Sequence, residues 1–391
     1  MRLISVKSVL DENNIRLVSV RRHHARKYAV LSHCSGWLDD DYRWGVGEGE
    51  LQYQDSEPHI NDSNQQIARR RVYSACRCAR ALGCRYIFID NCCIAPQELL
   101  DQTANEMWRL YSEAKLCLVH LDDWSPSGSA PNEGCRWFGR CWSFTALMAS
   151  RRLYFYDAQW RLIGKLLKQT QDRRYRQRGL DLRRITNINP PALFGAVPLS
   201  RYSVATKMRW ANCFPECDNP EDRAYSLQGI FSVAVDAQYG EGGEEAFYRL
   251  EQAILRNTQD VSILAWDAPS GYREGQAEFL SILPDSPSSF GMPRRRPVVP
   301  VRPQYRFRLT DSGILMGSVL YRHTFSREKQ WFYLPLGCPV DGATTSILLE
   351  FVGDDTFRRV GDEVVEVSLN DYRATGPCSF YIATRPEHCP E

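Results

Sequence analysis

The stretch YAVLSH at residues 28–33 is an apolar run that closes on polar side chains. The arrangement returns in YIFID at residues 86–90 and in LCLVHL at residues 116–121, and LYFY at residues 153–156 is a fourth run of this kind. Short apolar runs between polar segments are typical of strands that are buried on both faces. These four runs therefore predict the strands of a central sheet.

Helical periods lie between the predicted strands. Residues 67–82 have one such period, and apolar residues at steps of three and four between Leu100 and Ala114 place an apolar stripe on a second helix. Strands that alternate with helices indicate an α/β domain whose parallel sheet is covered on both faces.

Polar side chains follow three of the predicted strands. Open parallel sheets bind ligands at the carboxyl ends of their strands, close to the point where the strand order reverses. We therefore expect a polar crevice there, and the candidate ligand-binding residues are Ser32, His33, Asp90, Asn91 and Asp122. Turn and cap formation explains the same residues equally well, because Ser, Asn and Asp favour both.

Composition divides the rest of the chain into further parts. The pattern of residues 200–257 is helical, and beyond residue 304 short β-branched and aromatic runs between Gly and Asp indicate an antiparallel β domain. We expect an α/β domain at residues 1–165, a helical segment at 166–268 packed on it, a Pro-, Ser- and Arg-rich linker at 269–303 and a small β-rich domain at 304–391.

Residues 225–250, YSLQGIFSVAVDAQYGEGGEEAFYRL, contain two helical patterns. Leu227, Ile230 and Phe231 lie on one face of the first, and the Gly-rich residues 239–243 interrupt the period before it resumes. This stretch predicts a helix-turn-helix hairpin.

The composition limits the classes of function. The chain has 391 residues, of which 43% are hydrophobic, and a net charge of +2. These values predict a globular protein with no general attraction to nucleic acid or anionic membranes. No run approaches the ~18 apolar residues of a spanning helix. The N-terminus, MRLISVKSVL, lacks the features of a secretory signal, so we interpret it as a first strand and expect a cytoplasmic protein.

Cysteines and basic residues need separate consideration. The 14 cysteines do not form two well-spaced CxxC pairs, so buried, reduced thiols are expected and no metal site is proposed. Residues 151–184 are basic but lack aromatic interleaving, which favours a solvated helix face. Nucleic acid is not expected as a partner.

Three segments taken together resemble the fungal heterokaryon-incompatibility (HET) domain family. They are YAVLSH at residues 28–33, GCRYIFIDNCCI at 83–94 followed by MWRLYSEA at 107–114, and WFGRCWSFTAL at 137–147. Their order and spacing agree with the family across residues 1–165. Residues 204–265 resemble the helical region that follows the domain in one large subgroup of these proteins.

This resemblance implies a self/non-self recognition protein of filamentous fungi, in which the HET domain triggers growth arrest or cell death in response to an incompatible partner. It implies action through protein association, with an incompatibility partner or with a second copy. The aromatic residues Trp37, Tyr42 and Trp44 are candidate anchors for such contacts. The family has also been likened to the TIR fold, a flavodoxin-like parallel sheet.

The TIR likeness leaves a second function open, because some TIR proteins cleave NAD with one glutamate. Glu98, after Pro96 in the first turn of the helix that follows Asp90, is the candidate catalytic residue, with NAD as substrate or ligand. The motif is degenerate, since Glu98 is one position from the expected place and Thr145-Ala146 replace the usual Gln-Glu. Helix capping explains Glu98 as well.

Arg140 and Trp142 complete the candidate ligand-binding set. An Arg beside an aromatic ring can hold a phosphate or stack on a base. The same two residues can instead pack, with Arg140 paired to Asp90 or Asp122 across the edge of the sheet.

Overall fold

Two eight-stranded sheets contain all the strands in the described part of the chain. The computed structural model describes residues 1–20, 28–34, 63–93, 103–124, 135–168, 177–178, 180–267, 280–291, 306–323, 330–337, 344–369, 372–385 and 389. The chain forms two compact units. The first comprises Met1–Pro198, Cys213–Ser232 and Asp236–Gly242, and the second comprises Leu199–Asn212, Val233–Val235 and Gly243–Glu391.

The regular elements are numbered along the chain. The strands are β1 (Arg2–Ser5), β2 (Leu17–Ser19), β3 (Tyr28–His33), β4 (Tyr86–Phe88), β5 (Leu116–His120), β6 (Arg152–Tyr156), β7 (Leu162–Leu167), β8 (Gln177–Arg178), β9 (Arg306–Thr310), β10 (Gly313–Ser318), β11 (Tyr321–Arg322), β12 (Trp331–Pro335), β13 (Thr344–Gly353), β14 (Thr356–Val367), β15 (Arg373–Ala374) and β16 (Cys378–Ile382). The helices are α1 (Val6–Asp11), α2 (Ser63–Ala81), α3 (Asp90–Cys93), α4 (Thr103–Glu113), α5 (Cys141–Ala149), α6 (Leu182–Thr186), α7 (Pro190–Leu193), α8 (Val204–Ala211), α9 (Asp222–Tyr225), α10 (Gln228–Phe231) and α11 (Gly243–Asn257).

The sheet of the first unit has the order β2-β1-β4-β3-β5-β6-β7-β8. Its four central strands, β4, β3, β5 and β6, are parallel. Every residue of β5 is buried and β3 is buried up to Ser32, as expected for strands with a helix layer on each face. The prediction of an α/β domain with a parallel sheet is confirmed at this level.

Two local predictions in the first unit need correction. The N-terminal ten residues are a strand only as far as Ser5, because the Ser5 hydroxyl accepts a hydrogen bond from the Ser8 backbone N–H and caps α1. Residues 151–184 were predicted to present a solvated helix face, but they begin with the antiparallel pair β6 and β7. Burial in β7 alternates with a period of two, which is the pattern of a strand.

Helix α5 lies in the core of the first unit. Apart from Trp142 and Ala149, all of its residues are buried, since its sequence, CWSFTALMA, is apolar on nearly all sides. Helix α10 approaches α4 closely: a Cβ added to Gly229 would lie 2.2 Å from the Trp108 side chain. Glycine at this position therefore permits the close packing of the two helices.

The second unit contains a β-rich sheet with the order β15-β11-β12-β13-β14-β16-β10-β9. The predicted strands between residues 305 and 383 are present, and all pairs are antiparallel except β14 with β16. Strand β14 was missed, because its sequence, TFRRVGDEVVEV, is rich in charged residues. Arg359 of this strand is buried, with its guanidinium 3.9 Å from the Trp266 ring centroid.

The predicted hairpin at residues 225–250 corresponds to α10, a turn and the start of α11. The turn contains Gly240 and Gly242, whose φ angles of 98° and 90° are in the region that favours glycine. Within the predicted linker, Ile282 and Leu283 are buried in the second unit. The division into four consecutive parts stays a prediction, and the two compact units are interleaved along the sequence.

Candidate functional site

The candidate site lies where strands β3 and β5 end. These parallel strands are neighbours, although the chain passes through β4 between them, so the strand order reverses at this position. His33 is aligned with His120 in the register of the pair. Successive residues of a strand point to opposite faces, so Ser32 and His33 belong to different faces of the sheet.

One face of the sheet carries a group of three side chains, which we call the serine face. They are Ser32, Tyr111 and Trp137. The Trp137 indole N–H donates to the Ser32 hydroxyl at 2.9 Å, and both side chains are buried. Ser32 also hydrogen-bonds with Tyr111. Burial, followed by the neighbouring Cys117 and Asp90, raises the pKa of Tyr111 well above its usual range. The Ser32 hydroxyl is therefore engaged within the protein.

The other face carries a second group of side chains, which we call the histidine face. They are His33, Arg71, His120 and Asp122. His120 is 5% exposed, and its ring stacks on Trp160 with centroids 4.1 Å apart. Burial, followed by the charges of Arg71 and His33, lowers the pKa of His120 to about 3. Its imidazole is thus neutral near pH 7. The Ala158 backbone lies nearby, but neither ring nitrogen makes a well-aligned hydrogen bond.

The turn that carries Trp160 is held by Asp157, which is fully buried. Its carboxylate accepts hydrogen bonds from the backbone N–H groups of Gln159 at 3.0 Å and Arg161 at 2.8 Å. The Arg161 side chain adds an ion pair at 2.7 Å. Trp160 has a φ of 60°, an uncommon value for a bulky residue, and this network holds it there.

Asp122 joins the histidine face to the segment that begins the third family motif. Arg71 lies 3.4 Å and Arg136 3.6 Å from its carboxylate oxygens. Burial raises the pKa of Asp122, and both cations oppose that shift. The adjacent Asp123 accepts a hydrogen bond from the Arg136 backbone N–H at 2.8 Å and one from the Cys135 thiol at 3.1 Å.

Thiols at this edge of the sheet are not activated. Cys34, directly after β3, is 1% exposed, and burial raises its pKa to about 12. A buried, protonated thiol is a weak nucleophile. Among the described residues, no three His, Cys, Asp or Glu side chains form a group that could hold a metal ion.

Arg140 and Trp142 are directed to residues far along the sequence. The prediction that Arg140 pairs with Asp90 or Asp122 is wrong, because its guanidinium makes a bidentate pair with Asp218. Trp142 hydrogen-bonds with Asp222. Both contacts connect the start of α5 to the segment that follows residue 212, and a role of either residue in ligand binding stays a prediction.

A further hydrogen-bonded group, which we call the clasp, consists of four side chains. They are Glu221, Asp222, Tyr225 and Tyr239. Glu221 accepts hydrogen bonds from the backbone N–H groups of Gly240 and Gly242, at 2.9 and 3.0 Å. The backbone N–H of Gln238 donates to the Tyr225 hydroxyl at 2.8 Å, and the Tyr239 hydroxyl donates to Asp222 at 2.7 Å. The clasp thus joins the segment EDRAYSL at residues 221–227 to YGEG at residues 239–242.

Asp222 is the titratable centre of the clasp. It is 6% exposed, and burial raises its pKa to about 6 against the opposing hydrogen bonds from Tyr239 and Trp142. Thr145, which stands where the family has a larger polar residue, donates to the Ser226 carbonyl at 2.8 Å. Its neighbour Ala146 is fully buried and is part of the core.

Several predicted residues cannot be placed. Glu98 lies outside the described residues, as do Trp37, Tyr42 and Trp44. Asn91 is in α3, but its side chain is also outside the described part. Asp90 begins α3, where a carboxylate suits the helix N-terminus.

Sequence reasoning missed four residues of the two faces: Arg71, Tyr111, His120 and Trp137. Alignment of the predicted strands by their ends would have found His120, since it stands at the end of β5 as His33 does at the end of β3. Tyr111 and Trp137 were present in the quoted motifs, but nothing in the sequence indicated that both contact Ser32.

Comparisons with known proteins agree with the motif resemblance. Residues 28–179 match the family model described as Heterokaryon incompatibility protein (HET). The chain is also similar to the Vegetative incompatibility protein HET-E-1 of Podospora anserina, with 31% identity over 240 residues, which cover 58% of this chain and 16% of that protein. The aligned stretch is thus longer than the matched domain, and the chain spans only a small part of the relative.

No solved structure matches the chain. In the part of the chain that the structure describes, no helix is both long enough and apolar enough to cross a membrane. The family assignment therefore depends on the sequence matches, and the three motifs at residues 28–33, 83–114 and 137–147 fall inside the matched region. Residues 28–179 therefore form a domain of the heterokaryon incompatibility protein (HET) family.

Proposed function

We propose that this protein acts in fungal self/non-self recognition, as a vegetative incompatibility protein that triggers or modulates cell death through protein association. The observation that carries the proposal is the similarity to HET-E-1, which extends over 240 residues and so beyond the HET domain. A match to the domain alone indicates a shared fold. Similarity that continues into the following region supports a shared arrangement of the domain and that region.

The strand order supports a TIR-like sheet as a finer description of the domain. Taken alone, the four parallel strands have the order β4-β3-β5-β6, which is second, first, third and fourth along the chain. This is the order that flavodoxin-like sheets have at their start. The antiparallel strands β1, β2, β7 and β8 add to it at both sides.

The contacts around the candidate residues favour association over chemistry. Ser32 is bonded to Trp137, and Arg140 is paired with Asp218, so neither side chain is held ready for a substrate. The sequence matches give no support to NAD cleavage. We also place the protein in the cytoplasm, since all described cysteines are free thiols, as expected in a reducing compartment.

The test is expression of the whole chain from an inducible promoter in a filamentous fungus. We expect growth arrest or death after induction, alone or after fusion with a strain of another genotype, and an equal effect from Glu98→Ala. Two differently tagged copies, or a tagged copy and its partner, should be captured together. Normal growth of every strain, despite protein detected by immunoblot, would refute the proposal, and loss of the effect in Glu98→Ala would replace association with chemistry.

A further inference from the structure

Two cysteines from distant parts of the sequence are brought together by backbone hydrogen bonds at the start of α5. The Cys141 N–H donates to the Glu216 carbonyl at 2.9 Å, and the Glu216 N–H donates to the Gly139 carbonyl at 2.9 Å. Together these bonds make a parallel bridge between Arg140 and Glu216. Cys141 directly follows Arg140, and Cys217 directly follows Glu216, so each cysteine is the next residue after the bridge in its own segment.

The separation suits a covalent bond between the two sulfurs. Bridged backbone segments lie about 4.8 Å apart, and disulfides join Cα atoms that are roughly 4.4–6.8 Å apart. The Cys141 and Cys217 thiols are close enough to affect each other's charge, while the Cys217 thiol donates to the Pro215 carbonyl at 3.9 Å. We therefore expect a disulfide here to need only small adjustments of the two side chains and of the backbone beside the bridge.

Accessibility distinguishes this pair from other neighbouring thiols of the first unit. Cys76 and Cys93 interact, but both are buried, at 0% and 3% exposed. In the pair at α5, Cys141 is buried while Cys217 is half-buried and in contact with solvent. One sulfur can be reached by a small oxidant, and the other is positioned behind it.

We propose that Cys141 and Cys217 form a reversible redox pair that a peroxide oxidises to a disulfide. The Cys217 thiolate attacks one peroxide oxygen, the O–O bond breaks, and the leaving hydroxide takes up a proton to become water. The sulfur of Cys141 then attacks the sulfenic acid on Cys217, the S–O bond breaks, and the S–S bond forms as the second water leaves with the Cys141 proton. Two thiols are oxidised and one peroxide is reduced to two waters.

The bond would fix the start of α5 to the segment that leads into the clasp. Cys217 stands next to Asp218, the partner of Arg140, and four residues before Glu221. A disulfide that closes so long a loop restricts the unfolded chain, and we expect the midpoint of thermal unfolding to rise by roughly 5–10 °C. Dithiothreitol should reverse the rise.

The experiment uses the purified full chain, which is reduced, freed of reductant, treated with hydrogen peroxide and quenched with N-ethylmaleimide. Mass spectrometry without reduction should find a loss of about 2 Da and a peptide that links Cys141 to Cys217. Cys217→Ser should abolish the linked peptide and the thermal shift, whereas Cys378→Ser, which removes an exposed cysteine of the other unit, should leave both unchanged.

Cys141→Ser should leave Cys217 as a sulfenic acid that dimedone traps. Cys141 is in the core, so the Cys141→Ser variant can fail to fold. In that case, the results for Cys217→Ser alone decide whether the disulfide forms. A linked peptide that joins other cysteines, a bond between two chains at Cys217, or unlinked Cys141 and Cys217 after peroxide has modified Cys378 would each overturn the proposal.

Discussion

The histidine face and the clasp each contain a buried titratable side chain, and they differ in how its polar atoms are satisfied. In the clasp, Asp222 accepts hydrogen bonds from Tyr239 and Trp142. In the histidine face, neither ring nitrogen of His120 has a well-aligned partner among the described residues. Buried polar groups without partners are rare, because each loses its hydrogen bonds to water without replacement.

This difference shows which region is complete in itself. Apart from the bond between Asp222 and Trp142, the clasp hydrogen bonds named above lie within residues 221–242, so we attribute a structural role to it. The histidine face is stabilised by the stacking of His120 on Trp160 and keeps unused hydrogen-bonding capacity. Protons should therefore affect the two regions in opposite directions, and mutations should affect them to different extents.

The largest effect is expected from Glu221→Ala. This change removes the acceptor of two backbone N–H groups, those of Gly240 and Gly242, from a side chain that is 4% exposed. We expect the free energy of unfolding to fall by about 3 kcal/mol, since each bond has a charged acceptor. Urea unfolding followed by tryptophan fluorescence measures the loss.

The exposed Glu12 provides the control, since Glu12→Ala should change the free energy of unfolding by less than about 0.5 kcal/mol. Hydrogen exchange adds a local measurement: the amides of Gly240 and Gly242 should lose protection in Glu221→Ala while the amides of β5 keep theirs. Equal stability of the Glu221 and Glu12 variants would mean that the clasp does not hold this turn.

The next effect is the acid sensitivity of His120. Its pKa is about 3 in the folded protein, below the usual value of 6.5, so the unfolded chain binds the proton more tightly between these pH values. Stability is therefore lost as the pH falls below 6.5, and we expect a loss of about 2 kcal/mol between pH 7 and pH 5 from this residue.

His120→Phe keeps a ring to stack on Trp160 and removes the titration. On going from pH 7 to pH 5, this variant should lose about 2 kcal/mol less stability than the unmodified protein does. If both proteins respond to pH in the same way, His120 is already charged or satisfied in the folded state, and the contrast with the clasp disappears.

Parts of both regions were within reach of the sequence. The apolar runs located β3 and β5, because strands buried on both faces need continuous hydrophobic residues. Tyr225 and Tyr239 of the clasp stood in the quoted stretch of residues 225–250, but the partner of Arg140 lies 78 residues along the chain and no local pattern encodes such a pair. His120 was overlooked because it lies inside an apolar run, where a polar residue is interpreted as part of the strand.

The smallest effect is expected from Asp222→Asn, and its sign is opposite to that of His120. The folded-state pKa of Asp222, about 6, is above the usual 3.8, so the folded protein binds this proton more tightly than the unfolded chain does between these values. Asp222 therefore adds stability as the pH falls from 7 to 5, by about 1 kcal/mol, and that increment is lost as the pH rises through 6.

Asn has no proton to bind but can still accept the Tyr239 hydrogen bond, so Asp222→Asn should remove this increment without opening the clasp. Compared with the unmodified protein, the variant should lose about 1 kcal/mol more stability on going from pH 7 to pH 5, whereas His120→Phe should lose less. The double variant should restore a pH response between the two. The effects of distant, independent sites on the unfolding free energy should add. If Asp222→Asn and His120→Phe instead shift the pH dependence of stability in the same direction, the two buried groups do not titrate independently and with opposite effects.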